Sequence, residues 1–420
     1  MNAVAIIILI TVFADYILHL AADYLNLRSL KTDLPGAFRG LYDPDQYRKS
    51  QQYLLVNTRF GWVTGSFNLI VLLGFWFLKG FPALDHWVRS LGLGPILTGL
   101  VYTGALMLLR AILSIPFRIY DTFVIEERFG FNKMTPQTFL LDLLKVFCLS
   151  VLLGGPLLAG VLAFFQYAGS NAWWYCWIAV SLFILGIQFI APTWIMPLFN
   201  KFTPLEEGEL KAAILSYARS IQFSLENVFV MDGSKRSGKS NAFFTGFGRH
   251  KRIVLFDTLI GKHAIAELVA VLAHEMGHYK KKHVLLATLM GIAQVGVMFF
   301  LLSFFISYQG LFDAFYMDNQ SVYAGLIFFG MLYTPLEFFI GLFTRMLSRK
   351  NEYTADRFAV ETTGNPSAMI DALKKLSIHN LSNLTPHPFY VLLNYSHPPI
   401  LKRIQAIEDL QNATGTRQLA

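Results

Sequence analysis

The chain is 420 residues long, 54% hydrophobic and 15% charged, with a formal net charge of +8. Soluble domains carry about 25% charged residues, so a chain this apolar is not one soluble globule and much of it belongs in lipid. The surplus Lys and Arg lie beside apolar runs, where they set membrane orientation, so no nucleic-acid partner is implied.

A membrane span needs roughly 20 mostly apolar residues. Seven stretches qualify, near 3–25, 60–78, 93–116, 146–167, 173–195, 284–306 and 321–344. The first carries Asp15, His19 and Asp23, lacks a basic start and shows no clear cleavage site, so it reads as a retained span and not a signal peptide. The loop 28–59 holds Arg28, Lys31, Arg39, Arg48, Lys49 and Arg59, whereas the next has only Lys79 and Arg89. Arg110, Arg118, Arg128, Lys133 and Lys145 are assigned between the third and fourth spans, with that connection near 117–145. The fourth and fifth spans read as a tight hairpin, and 168–172 and 307–320 contain no Lys or Arg. Basic connections therefore alternate with non-basic ones, which predicts a cytoplasmic C-terminus and an N-terminus outside. Cys148 and Cys176 sit in apolar runs without a CxxC pair, so neither a disulfide framework nor dithiol chemistry is indicated.

The five spans of 1–195 are followed by 196–283, and spans six and seven of 284–344 by 345–420; both of these outer regions are expected on the cytoplasmic side. The first opens with a helical pattern near 205–222, then "NVFVMDG" as a strand into a turn. "NAFFTGFGRHKRIVLFD" follows as two strand-like runs with Gly-rich turns. "AHEMGH" places His274 and His278 four apart, so both imidazoles project from one helix face. Glu275 lies beside them, placed to polarise a metal-bound water; this is the HExxH arrangement of two zinc ligands and a general base. A coincidental pair of histidines on a polar helix is the competing reading.

A catalytic zinc takes a third protein ligand and leaves a position for water. "NEYTADRFA" offers Glu352, with Asp356 one turn on and on the same face, able to accept an N–H from a ligand histidine. Solvated acids on an amphipathic helix would give the same spacing. "NYSHPPILKRI" places His397 before two prolines, where it could donate to a developing oxyanion, with Arg403 six residues on. His278 stands six residues before Val284, about 9 Å if the helix is continuous, so the site is expected at the membrane interface. Asp15, His19 and Asp23 form a stripe on the first span, and Gln294 and Glu337 lie within the sixth and seventh, which predicts a wet cavity among the helices.

"GSKRSGKS" (233–240) satisfies the GxxxxGK[ST] phosphate-loop pattern. Such a loop must open a helix. Here an aromatic, basic, Gly-containing run follows, and only 33 residues separate Ser240 from His274. No nucleotide is expected, and the segment reads as a basic loop before a strand.

Beyond these motifs, "FVIEERFGFNK" (123–133), "PTWIMPLFNKFTPL" (192–205), "SNAFFTGFGRHKRIVLFDTL" (240–259), "NEYTADRFA" and "LTPHPFYVLLNYSHPPILKRI" resemble the integral-membrane type I CAAX prenyl proteases, gluzincin zinc metalloendopeptidases. The resemblance implies seven helices around a polar, water-filled chamber, with an α+β zinc protease domain at its cytoplasmic end. It implies zinc on His274, His278 and Glu352, Glu275 as base, and support from Asp356. Substrate or transition-state contacts fall to His397 and Arg403, and Asn241 and Ala242 lie on the strand that pairs with the substrate backbone. The implied substrate is a peptide with a C-terminal isoprenyl lipid, and the implied setting is a bacterial inner membrane or the ER membrane. Two rival readings share the sequence features. One is a membrane-protein quality-control endopeptidase with no lipid requirement. The other is a transporter with a structural zinc, which would require a closed four-ligand site.

Overall fold

The computed structural model describes residues 1–225, 227–245 and 252–418, with side chains described to residue 413. Among the described residues, seven helices are long and apolar enough to cross a membrane. They are α1 (Ala3–Arg28), α2 (Pro44–Phe77), α3 (Pro95–Phe129), α4 (Pro136–Tyr167), α5 (Gly169–Leu198), then α8 (His283–Phe305) and α9 (Val322–Thr363). Between α5 and α8 come β1 (Phe202–Pro204), α6 (Glu209–Ser220), β2 (Asn227–Met231), β3 (Ala242–Thr245), β4 (Arg252–Phe256) and α7 (Ile265–Lys280). After α9 come α10 (Pro366–His379), α11 (Pro388–Asn394) and α12 (Ile400–Gln418). The Gly-rich turn expected between the two strand-like runs falls on 246–251, outside the described residues.

Several helices run further than their apolar stretches. Asp43 caps α2 by accepting from Asp45 N and Gln46 N at 2.7 and 3.2 Å, which starts the helix sixteen residues before its apolar run at Phe60. Arg110, Arg118 and Lys145, assigned above to a connection, instead lie within α3 and α4. Hydropathy marks where a helix meets lipid and is blind to where the helix ends. Likewise α9 does not stop near Thr344 but runs unbroken for 42 residues, roughly 63 Å, before Gly364 closes it at φ +63°. The boundary at 344 thus falls inside one continuous helix.

The spans are packed at one end only. Trp76, Phe81, Phe315 and Phe328 stack into a plug with the starts of α1 and α9 and the ends of α4 and α8, and Trp76 Nε1 donates to Ala314 O at 2.8 Å. Buried Asp85 there takes Arg89 at 2.7 Å and the Tyr323 hydroxyl. Away from this plug no span has more than 17% of its apolar window buried. Helices that meet at one end and hide so little surface enclose space instead of a core. Mid-helix Asp15 and His19, 3.7 Å apart, keep 45% and 40% of their side-chain surface exposed, and Arg110 and Glu337 are exposed as well. Charged groups at that depth face water, not hydrocarbon, so the enclosed space is polar.

The other end is closed by the α+β unit. Its four-stranded sheet has the order β1-β2-β4-β3, with β2 and β4 parallel and the outer pairs antiparallel. β3 is therefore an edge strand, pairing Ala242 with Leu255 through Thr245 with Arg252. The apolar face of α7, with Leu268, Leu272 and Met276, packs between Ile253 and Leu255 of the sheet and Leu373 and Ile404 of the last helices. Phe38, Tyr42 and Tyr47 from the first connection join the same core.

The position that sets the site is Gly277, where α7 crosses α9. A Cβ there would meet Phe358 Cδ1 at 3.0 Å, Ala355 O at 3.3 Å and Ala355 Cα at 3.4 Å. Gly277→Val should force the two helices apart, whereas Gly277→Ala needs only a shift of tenths of an ångström. The expected result is strongly reduced bound metal in the Val variant and an intermediate value in the Ala variant, measured by elemental analysis, with far-ultraviolet circular dichroism unchanged.

Candidate active site

α7 begins where Glu267 Oε2 accepts from Ala264 N at 3.1 Å, and Lys375 of α10 holds the other oxygen at 2.6 Å. Fixing that end fixes the phase of the helix, so His274 and His278 face α9. Their Nε2 atoms lie 3.1 Å apart; His278 Nε2 is 3.2 Å from Glu352 Oε1 and His274 Nε2 is 3.4 Å from Glu352 Oε2. Donors about 2.05 Å from a tetrahedral zinc stand about 3.3 Å apart, so these separations, reached through the two different oxygens of Glu352, are of the size such a site needs. Glu352 is buried, and its Oε2 has no hydrogen-bond donor. A buried carboxylate oxygen beside two imidazole nitrogens is a set of lone pairs awaiting a cation, so the residues fit a metal ion.

Behind this face, Asp356 Oδ1 sits 2.8 Å from His274 Nδ1, which places the proton on Nδ1 and leaves Nε2 as the donor to a metal. Arg403 grips the same carboxylate with both prongs, Nε to Oδ2 at 2.8 Å and a terminal nitrogen to Oδ1 at 2.6 Å, and its other terminal nitrogen is 3.4 Å from Glu352 Oε2. Arg403 is thus buried among the carboxylates and does not stand exposed beside them. His397 does: it is 62% exposed, its Nε2 is 3.4 Å from Glu352 Oε1, and Ser396 Oγ lies 2.9 Å from its Nδ1. Glu275 is largely covered, and burial pushes its carboxyl above the ordinary glutamate range against the pull of the two histidines. Asn241 precedes the β3 edge, with its carbonyl accepting from Phe256 N at 3.1 Å and its side chain turned to Ala242 N at 2.8 Å.

Residues 204–411 match peptidase family M48, and residues 23–201 match the CAAX prenyl protease N-terminal family of five membrane helices. A CAAX prenyl protease 1 homolog of Arabidopsis thaliana is 37% identical over 408 residues, covering 93% of this chain and 95% of that protein. CAAX prenyl protease 1 of Saccharomyces cerevisiae is 34% identical, with 92% of each chain covered. The crystal structure of S. mikatae Ste24p superposes with a TM-score of 0.92 at 32% identity, over 97% of this chain and 99% of that one. The chain belongs to the CAAX prenyl protease 1 family of M48 metalloproteases.

In this M48 protein one feature of the site was not legible in its spacing. The helix expected to run unbroken from His278 to Val284 is interrupted: α7 ends at Lys280, Lys282 takes φ +59°, and α8 begins at His283. On a continuous helix His283 would lie about 140° around from His278. The break swings it back, so His283 Nδ1 is 3.1 Å from His278 Nδ1, and its Nε2 is 3.1 Å from Thr354 Oγ1 of α9. Thr354 donates in turn to Asn351 O at 2.8 Å. His283 is therefore to His278 what Asp356 is to His274, a neutral acceptor where the other is charged. The signal in the sequence is a third histidine after "HEMGH", which had read only as part of a basic boundary, "YKKKH".

Two outcomes follow. His283→Ala should weaken metal binding about 10- to 100-fold, read by competition against a chromophoric chelator, with the fold intact. The second concerns pH. Burial alone would lower the pKa of His274, but its bonds to Asp356 and Glu352 outweigh burial and raise it to about 9 in the metal-free protein. A raised folded-state pKa adds stability that is complete below the unfolded value of about 6.5 and is lost as pH passes the folded value. The melting temperature of chelator-treated protein should therefore fall between those limits. Over the same window, apparent metal affinity should climb about tenfold per pH unit, because binding expels that proton.

Proposed function

We propose that this metalloprotease uses zinc and cleaves near the C-terminus of isoprenylated proteins, releasing the terminal tripeptide. His274, His278 and Glu352 would hold the ion. When bound, zinc supplies Lewis-acid polarisation of the scissile carbonyl and lowers the pKa of a water molecule. Glu275 takes the proton of the attacking water, its raised pKa matching it to that task, and passes it to the leaving amine. His397, on the open side, donates N–H to the oxyanion of the tetrahedral intermediate. Arg403 works through Asp356 and Glu352, holding both carboxylates in place. β3, which Asn241 precedes and Ala242 opens, is the outer strand of the sheet, where a peptide would add as a further strand.

The observation that carries the substrate class is a cavity of about 430 Å³ between α8 and α9. It starts at His278 and His283 and passes Ala287 and Met290 to Gln294 and Ile340. Ten residues of α8 separate Val284 from Gln294, so the cavity runs about 15 Å from the metal ligands into the spans. A soluble peptide has no use for such a passage, whereas a peptide carrying a lipid places its chain there. Orientation follows from charge: at the plug end, 168–172 and 307–320 carry no Lys or Arg and 78–94 only Lys79 and Arg89, whereas the site end carries the basic first loop. The site then faces the cytoplasm and the N-terminus lies outside.

The test is purified wild type and Glu275→Gln, zinc content measured in each, given paired farnesylated and unfarnesylated CAAX peptides and analysed by mass spectrometry. Cleavage of the farnesylated peptide alone, reduced by a factor of 10³ or more in the zinc-loaded variant, is the expected result. Equal cleavage of both peptides would favour a quality-control endopeptidase with no lipid requirement.

A further inference from the structure

The GSKRSGKS segment is not a phosphate loop of the nucleotide-binding kind, because Ser240 leads into strand β3 and not into a helix. It does, however, wall a separate cavity of about 450 Å³ at the far end of α7 from the metal site. Lys262 lies three residues before α7 and twelve before His274, about 18 Å away if measured at helical rise. The other wall is the turn after α3. There Gly238 N donates to Phe131 O at 2.8 Å, and a Cβ on Gly238 would come within 3.4 Å of Gly130 O. Gly130 itself sits at φ +82° with the Lys49 ammonium 3.8 Å from where its Cβ would be.

What distinguishes this cavity is its charge. Lys49, Lys133, Lys262 and His379 line it and no Asp or Glu is among its lining residues; Ser234 and Thr258 line it too, their hydroxyls donating to Asp257 and to Lys239 O at 2.9 Å. Elsewhere in the same segment the protein neutralises its cations. Arg236 forms a fork with Asp142 at 2.7 and 2.9 Å, and Lys239 meets Glu126 at 3.0 Å. Among the described residues, neither the three cavity lysines nor His379 has an acidic partner. Lys262, half-buried, has only Gly238 O at 3.1 Å and Ser240 Oγ at 3.5 Å. Burial lowers its pKa, and His379, beside Lys262 and His263, is lowered to about 4 by burial and those neighbouring cations. Partly buried Lys262 and His379 and exposed Lys49 and Lys133 line one cavity with no acidic residue among them, which describes a site for an anion.

We infer that this cavity binds a phosphate-bearing anion, clasped by Lys49, Lys133, Lys262 and His379. A tetrahedral dianion or polyanion suits donors converging from four chain segments, where a single carboxylate would leave most of them unmet. The phosphate can belong to a soluble ester or to a lipid headgroup. Lys49 stands eleven residues, about 16 Å along α2, before the apolar run at Phe60, while the headgroup layer is only about 5–7 Å deep. The soluble source is therefore the better fit.

The test uses full-length, zinc-loaded protein in detergent and inorganic pyrophosphate as the probe. Binding is read by calorimetry and by the shift in melting temperature against chloride at equal ionic strength. The expected result is saturable binding that weakens about tenfold in Lys262→Gln and again in His379→Gln. Lys49→Gln, on an exposed helix position whose loss cannot unfold the protein, should weaken it too. A second arm places the protein in phosphatidylcholine nanodiscs with or without a phosphoinositide. A shift seen only with the phosphoinositide, and lost in the same variants, keeps the phosphate site and assigns it to lipid. Binding in neither arm, or binding undiminished in all three variants, overturns the inference.

Discussion

Everything at the active site rests on how a knot of charge is kept neutral out of water. Glu352, Asp356, Arg403 and His274 are all buried within hydrogen-bonding reach of one another. Two carboxylates against one guanidinium leave a deficit of one positive charge. Without a metal, a second proton on His274 fills it, which is why that imidazole holds its proton so far above its usual range. A divalent cation held by His274, His278 and Glu352 would take the place of that proton and more than offset the deficit. Burying unbalanced charge costs several kcal/mol, so the same carboxylates that define the site also demand its cation.

That charge balance works only because three separate helices are brought to one point. α7 supplies two donors, α9 the carboxylates and α12 the guanidinium. Gly277 lets α7 and α9 cross at backbone distance, and Glu267 fixes the rotation of α7. The site is thus an outcome of helix packing more than of any loop, and precision of this kind is what a metal with tenths-of-ångström tolerances requires.

Much of this was legible beforehand, and what escaped did so for identifiable reasons. Hydropathy locates seven spans, and i,i+4 spacing puts His274 beside His278 and Glu352 beside Asp356. These are local periodicities that tertiary structure had no reason to override. The ends of α2, α3 and α9 were hidden because helix continuation past the lipid leaves no apolar signature. The break at Lys281–Lys282 was hidden because "YKKKH" contains neither Gly nor Pro. A lysine in the left-handed region is a local cost paid by the tertiary contacts on either side. Arg403 was placed near the chemistry, but its clasp on Asp356 is a contact across 47 residues that spacing cannot reveal.

The unbroken length of α9 ties the site to the bilayer in a further way. Its midpoint in the membrane is near Tyr333, and Glu352 lies nineteen residues beyond, about 28 Å along a helix that stays unbroken through Pro335. Span helices answer a change in bilayer thickness by tilting. A tilt of about 5° would carry the end of a lever that long through about 2.5 Å, more than ten times what metal coordination tolerates. α8 is released from α7 by the break at Lys282, whereas α9 continues as helix from the membrane to the site, with Pro335 as its one interior proline. The third ligand therefore doubles as the tip of a gauge of membrane thickness, and the helix crossing at Gly277 is what holds its reading steady.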